Sequence, residues 1–178
     1  MMKIKIIHIF PSLVFLIVVV FLWRGLSINP HVIPSPFIGK LVPVFKAKTI
    51  STQVKTIDQR ILMGHLSILH VFATWCKTCI VEQTVLMDLH REFPHIKMIG
   101  LSFKDQPNAV LAWLQRYHNP YDEVIDDSSG RIGIDLGVYG TPETFLIDRH
   151  GIIRNKWVGT VSADELSKAI KPRQSFFE

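Results

Sequence analysis

Both cysteines of the chain lie in one short segment, FATWCKTC, where only Lys77 and Thr78 separate Cys76 from Cys79. Two thiols at this spacing can exchange disulfides, contribute to a metal site or form a structural crosslink. Zinc needs about four ligands, and the sequence has neither a second cysteine pair nor a nearby His-x-x-His. A structural disulfide here would close too small a loop to constrain the unfolded chain much. We therefore favour a redox couple without a metal or other cofactor, and keep the other two as alternatives.

The sequence around the cysteines predicts a strand that ends where a helix begins. The apolar, partly β-branched run His65–Phe72 is typical of a buried strand, and apolar residues at helical spacing follow over Cys79–Phe93. A helix N-terminus carries partial positive charge and unpaired N–H groups, which stabilise a thiolate. We therefore expect Cys76 to be the exposed attacking thiol, activated further by Lys77. Cys79 should be shielded and should resolve a mixed disulfide.

Strand and helix patterns alternate over the rest of the chain. Strands are predicted over residues 96–103, 121–127, 143–148 and 151–159. Helices are predicted over about residues 107–117 and 131–138, and a last helix opens at the capping box Ser162–Glu165. This order predicts an α/β sheet with helices on both faces, closed by an antiparallel hairpin.

An apolar run without Asp, Glu, Lys or Arg, Ile6–Trp23, lies near the N-terminus. Its roughly 18 residues come close to the ~20 that span a hydrocarbon core. Lys3 and Lys5 precede it, which favours a cytoplasmic N-terminus and an exported remainder. We predict an uncleaved transmembrane anchor, with a cleaved signal peptide or a buried soluble helix as alternatives. The predicted regions are an anchor at 1–24, a tether at 25–37 and a domain at 38–178.

The net charge of +5 is modest and comes from scattered basic residues. The sequence has no run of five like charges and no basic patch interleaved with aromatic residues. These features give no support for nucleic-acid binding. They are typical of a solvated basic surface on a membrane-tethered domain.

Two motifs give the chain a family resemblance. FATWCKTC after an apolar strand resembles the thioredoxin superfamily, and the long run Gly133–Gly159, which contains GVYGTPETFLID, narrows this further. Together with Ile38–Phe45, it resembles the membrane-anchored thiol:disulfide interchange proteins of the DsbE (CcmG) family. The similarity covers nearly everything from Ile38 to about Pro172. It implies a thioredoxin-like fold, with a central mixed sheet flanked by helices and a family-type central insertion, preceded by one transmembrane helix.

The resemblance also implies roles for residues around the cysteines. Trp75 would shield the pair, and Pro142 would be a cis-proline that turns the Thr141 backbone towards a bound peptide. An ordinary trans proline is the alternative. Glu82 and Glu143 match acidic positions close to the family's active site, where a carboxylate disfavours thiolate and can relay protons. The alternative for Glu82 is an exposed helix carboxylate.

The function implied is reduction of disulfides in apocytochrome c, or in cytochrome c maturation proteins, in the periplasm. Electrons would come from a DsbD- or CcdA-type transmembrane donor, with the domain held at the inner membrane by its anchor. Lys77 stands where the family usually has proline, which leaves the reduction potential open. A general thiol oxidant or isomerase, and a non-catalytic apocytochrome or haem chaperone, are the alternatives.

Overall fold

The computed structural model describes residues 6–26 and 36–174. They belong to two compact units that divide after Ile33. The first contains one helix, α1 (Ile6–Leu26), whose side chains from Phe10 to Arg24 are all exposed. Among the described residues, none of the helices is both long and apolar enough to cross a membrane. The predicted basic start, Lys3 and Lys5, and most of the predicted tether lie outside the described residues.

The second unit contains seven strands, four α-helices and one short 3-10 helix in its described part. In chain order these are β1 (Lys46–Lys48), β2 (Thr56–Asp58), the 3-10 helix (Gln59–Leu62), β3 (Ser67–Phe72), α2 (Lys77–Glu92), β4 (Lys97–Phe103), α3 (Pro107–Tyr117), β5 (Glu123–Asp127), α4 (Arg131–Asp135), β6 (Glu143–Ile147), β7 (Ile153–Val158) and α5 (Ala163–Gln174). The elements predicted from the sequence are present. The capping box at α5 is also present, since the Glu165 backbone N–H donates to Ser162 Oγ and Ser162 N–H donates to the Glu165 carboxylate.

The predicted mixed sheet is confirmed. Its strand order is β5-β4-β3-β6-β7. β3, β4 and β5 are parallel to one another, whereas β6 runs antiparallel to both β3 and β7. All six residues of β3 are buried, because this central strand has neighbours on both edges and cover on both faces.

The alternation of side chains along β3 assigns its residues to two separate cores. Ile68 and Phe72 lie in one core with residues of α2, α3 and α5. Leu69 and Val71 lie in the other with residues around α4. His70 falls between Ile68 and Phe72 in this alternation, so its imidazole faces the α2 side of the sheet.

Candidate active site

The cysteine pair lies at the carboxyl end of β3, where α2 begins. Cys76 is the N-cap of α2, and its Sγ accepts a hydrogen bond from Cys79 N–H at 3.3 Å. The two residues form a disulfide. Cys76 is 5% exposed and Cys79 is fully buried. Cys76 is therefore the more accessible of the two residues, as expected. The prediction that it is exposed is wrong for the disulfide form, because Cys76 packs into the core at the start of α2.

Asp105, at the end of β4, ties down the loop that precedes the cysteines. Its Oδ2 accepts a hydrogen bond from Thr74 N–H at 2.5 Å, and its Oδ1 accepts one from Gln106 N–H at 2.8 Å. None of the sequence patterns described above points to Asp105. The sequence signal that could have identified Asp105 is its position just after the strand that became β4. The carboxyl ends of parallel strands meet at one edge of the sheet, so a residue after β4 lies near the cysteines after β3.

The bond between Thr141 and Pro142 is cis, as the resemblance implied. Pro142 immediately precedes β6, whose first residue pairs with Val71 of β3. This register places the cis-proline at the sheet edge where β3 ends and the cysteines follow. Trp75 is 58% exposed. Most of its indole therefore faces solvent beside the disulfide and is available to a docking polypeptide.

Glu82 lies on the inner face of α2 and is almost fully buried. Its Oε1 accepts a hydrogen bond from Val161 N–H at 2.8 Å, and its Oε2 lies 3.3 Å from His70 Nε2. The exposed-carboxylate alternative for Glu82 is therefore wrong. Glu82 follows Cys79 by three residues, so the two side chains occupy the same face of the helix.

Glu143 is also buried, but it has different neighbours. Its Oε2 lies 3.0 Å from Lys156 Nζ. Its Oε1 accepts hydrogen bonds from the N–H groups of Tyr139 and Gly140 at 2.7 and 3.4 Å. Because Glu143 pairs with Val71, its side chain points to the α4 side of the sheet, opposite to His70. The structure thus does not bring together the two carboxylates that the resemblance associated with one site.

Comparison with known proteins identifies the family. A family model described as AhpC/TSA matches residues 38–156. A thiol:disulfide interchange protein DsbE from Pseudomonas fluorescens biotype C is 44% identical over 151 residues, which are 85% of this chain and 83% of the relative. The chain belongs to the DsbE family of thiol:disulfide interchange proteins. The DsbE of Escherichia coli (strain K12) is 36% identical over 177 residues, covering 96% and 94% of the two chains.

A solved structure agrees with this assignment. The structure of MTB dsbF in mixed oxidised and reduced forms has a TM-score of 0.65 and 26% sequence identity, and the match covers 72% of this chain and 93% of that one. Family membership, the thioredoxin-like fold and the Cys76–Cys79 disulfide make this DsbE-family chain a disulfide oxidoreductase. Its chemistry is exchange between this disulfide and the thiols of another molecule.

Proposed function

We propose that this chain reduces disulfides in apocytochrome c, or in the proteins that handle apocytochrome c, during cytochrome c assembly in the periplasm. The observation that carries the proposal is the helix-start cysteine pair at the same sheet edge as cis-Pro142, in a chain of the DsbE family. An unspecific reductant in that compartment would break the disulfides that stabilise exported proteins. The proposal therefore includes selectivity, supplied by the surface around Trp75 and Thr141.

The reaction proceeds in two exchanges. Cys76, as thiolate, attacks a client disulfide and forms a mixed disulfide while one client thiolate leaves. Cys79 then attacks Cys76 Sγ, which forms the Cys76–Cys79 bond and releases the second client thiolate. Two electrons pass from the couple to the client. A DsbD- or CcdA-type membrane donor restores the reduced couple, since the periplasm itself is oxidising.

The membrane attachment is a second part of the proposal. Its support is the apolar run Ile6–Trp23, which forms most of the 21-residue helix α1, with basic residues before it in the sequence. An alkaline-phosphatase fusion after Arg24 should be active, and carbonate washing should leave the full-length chain in the membrane. A shortened soluble form would instead establish a cleaved signal.

Deletion of this gene tests the proposed role in the cell. Holocytochrome c assembly should fail while bulk disulfide formation stays normal, and a small added thiol reductant should partly restore assembly. Purified protein should reduce a Cys-x-x-Cys-His apocytochrome peptide readily and insulin poorly. Vigorous insulin reduction, together with normal cytochromes in the deletion strain, would show a general thioredoxin-like role instead.

Serine substitutions test the division of labour between the thiols. Cys79→Ser should accumulate mixed disulfides with clients, because nothing resolves them, whereas Cys76→Ser should trap none. The reverse pattern would exchange the two roles. A strain with both cysteines replaced should lose cytochrome assembly; if it keeps assembly, the chain acts as a chaperone. A reduction potential as oxidising as that of a dedicated thiol oxidant would reverse the proposed direction of electron flow.

A further inference from the structure

A continuous series of hydrogen bonds, buried except at its His118 end, connects α2 with β3. Gln83 Nε2 donates to the carbonyl oxygen of His118 at 2.8 Å, and Gln83 Oε1 accepts from the Tyr121 hydroxyl at 3.2 Å. The Tyr121 oxygen lies 2.7 Å from His70 Nδ1. At the far end, His70 Nε2 lies 3.3 Å from Glu82 Oε2.

The donor and acceptor of each hydrogen bond in this series follow from the group at one end, the His118 carbonyl. A carbonyl oxygen only accepts, so the Gln83 amide nitrogen must face His118 and the amide oxygen must face Tyr121. Tyr121 therefore donates its proton to Gln83, and its oxygen accepts from His70 Nδ1–H. Burial, with the Glu82 carboxylate as the second cause, raises the pKa of Tyr121 well above its ordinary value, so the phenol keeps its proton.

One proton must then lie between His70 Nε2 and Glu82 Oε2. Without it, a nitrogen lone pair would face a carboxylate oxygen, and two acceptors would oppose each other. The side chains of His70 and Glu82 are 0% and 1% exposed, so water cannot relieve that contact. The pair holds this proton either as imidazolium with carboxylate or as imidazole with carboxylic acid, and both forms are neutral overall.

This pair adjoins the resolving cysteine. Cys79 and Glu82 are both buried in the first turns of α2, and side chains three residues apart on a helix have Cβ atoms about 5–6 Å apart. His70 reaches Glu82 from β3, on the sheet face that α2 covers. Across the strands His70 is opposite Gly100 and Thr144, and neither neighbour has an ionisable side chain. Phe72 and Tyr121 stack against the imidazole.

We propose that His70 is a positioning residue of the exchange reaction: by sharing one proton with Glu82, it prepares the Glu82 carboxylate to accept the proton of Cys79 in the resolving step. The pair in its imidazolium–carboxylate form presents a base to the buried thiol. Once Glu82 has taken the proton, the positive charge of the His70 imidazolium is no longer paired with a carboxylate and offsets the charge of the new thiolate. The inference rests on thiol–disulfide exchange and is independent of the proposed client.

The step balances without a further reactant. The Cys79 S–H bond breaks and its proton goes to Glu82. The thiolate forms a bond to Cys76 Sγ as the bond between Cys76 and the bound thiol breaks, and that thiol leaves with the electron pair. The departing thiolate is protonated by solvent, and Glu82 releases its added proton. The couple is oxidised and the bound disulfide is reduced.

Several ionisable groups face this region in the part of the chain that the structure describes. Cys76 is the N-cap of α2, Cys79 and Glu82 lie within α2, His70 belongs to β3, and Tyr121 precedes β5. Asp105 is another buried carboxylate at this edge, and both of its oxygens accept backbone N–H bonds. Glu143 and Asp127 are also buried here, but their carboxylates have partners on the α4 side of the sheet. Glu82 differs from Asp105 in that its carboxylate contacts a second titratable side chain, His70.

The decisive variant is Glu82→Gln in the full-length protein. Its amide oxygen can still accept from Val161 N–H, and its amide N–H can donate to His70 Nε2, so every hydrogen bond survives while the base is lost. Reduced protein is mixed with oxidised glutathione, quenched with acid and analysed by mass, which separates the mixed disulfide from the internal one. Resolution should slow by about a hundredfold at neutral pH, which is the lower end of the usual contribution of a general base. Alkylation of Cys76 by iodoacetamide should change little.

Two observations distinguish this role from structural support. The deficit should shrink as pH rises, because hydroxide then deprotonates Cys79 directly. His70→Gln should slow resolution similarly, and the double variant should be no slower than Glu82→Gln, because residues that act as a unit are not additive. The matched control is His150→Gln, in the exposed turn between β6 and β7, which should resolve at the wild-type rate.

Other outcomes would overturn the inference. Wild-type resolution and an unchanged pH profile in Glu82→Gln would remove the carboxylate from the step. Multiplicative losses in the double variant would show that the two residues act separately. If His70→Gln fails to fold, Tyr121→Phe replaces it, since that change removes only the hydroxyl that accepts from Nδ1. A wild-type resolution rate in Tyr121→Phe would then contradict the role of His70.

Discussion

Two buried carboxylates lie on opposite faces of one sheet, and each has a nitrogen base as its partner. Glu82 lies 3.3 Å from His70 Nε2 on the α2 side. Glu143 lies 3.0 Å from Lys156 Nζ on the α4 side. All four side chains are at most 1% exposed. The two pairs thus share burial and spacing, and they differ in the nature of the partner.

Because of this difference, the two pairs suit different tasks. The His70–Glu82 pair is suited to proton transfer, and the Glu143–Lys156 pair is suited to holding a loop in place. A neutral imidazole has one nitrogen that donates a hydrogen bond and one that accepts, whereas a lysine ammonium only donates. Lys156 also donates to the carbonyl oxygen of Gly137 at 2.6 Å and lies 4.4 Å from the centre of the Tyr139 ring. The Glu143–Lys156 pair therefore fixes the loop before cis-Pro142. The lesson is that a buried acid near a redox site has to be interpreted through its partner.

The largest effect is expected from Lys156→Met. It leaves Glu143 buried without a cation, and breaking a buried pair in this way costs about 3–5 kcal/mol of the free energy of unfolding. Urea denaturation measures the change. Adding Glu143→Gln to this variant should recover much of the loss, because no uncompensated charge then remains.

The control for that variant is Lys168→Met, whose partner Asp164 lies on the surface of α5 at 2.6 Å. Exposed pairs contribute little to stability. We expect no measurable change. Equal losses of unfolding free energy in both lysine variants would show that burial does not make the Glu143–Lys156 pair more important than a surface ion pair.

A pair of glycine substitutions should produce the next largest difference. A Cβ atom at Gly100 would lie 2.9 Å from both Phe72 Cε1 and Tyr121 Cδ2. Gly100→Ala should therefore overpack the ring layer that supports His70 and lower the free energy of unfolding by about 1–3 kcal/mol.

Gly140→Ala is the matched change in the loop held by Glu143. A Cβ atom at Gly140 meets nothing within 4 Å. Stability should stay the same or rise by at most about 1 kcal/mol, because alanine restricts the unfolded chain. Urea denaturation of both variants gives the comparison, and a larger loss at Gly140 would contradict it.

The smallest effect concerns Asp127, a buried carboxylate that has no cationic partner within residues 6–26 and 36–174. Burial raises its pKa, although hydrogen bonds from Gly133 N–H and Ile132 N–H oppose the shift. The folded protein then binds the Asp127 proton more tightly than the unfolded chain does. This contribution to stability should be complete at pH values below the ordinary aspartate pKa, and should be lost as pH rises through the raised value.

Asp127→Asn isolates that contribution. The free energies of unfolding of the wild type and the variant are measured across the acidic pH range. The wild-type value minus the variant value should decline with rising pH and then level off. A difference that grows with pH would mean that ionisation of Asp127 stabilises the fold.

The sequence by itself determined the features that depend on neighbouring residues. The Cys76–Cys79 spacing, the strand that ends before it and the order of the main elements are all local patterns, and each is present in the structure. The cis bond before Pro142 followed from the family resemblance. The sequence pattern did not predict β1 and β2. Each strand is only three residues long, which is too short to show the alternation of a strand.

Only the tertiary structure decided which residues share a site. Tyr121 lies 51 residues after His70, and Val161 lies 79 residues after Glu82, yet each pair is hydrogen-bonded. No sequence pattern singled out His70, which lies inside the predicted buried strand His65–Phe72. Glu143 matched an acidic position near the cysteines, but the alternation of β6 turned its side chain to the other face of the sheet. Partners in a core are set by register and packing, and no local pattern encodes which distant side chain will meet a buried charge.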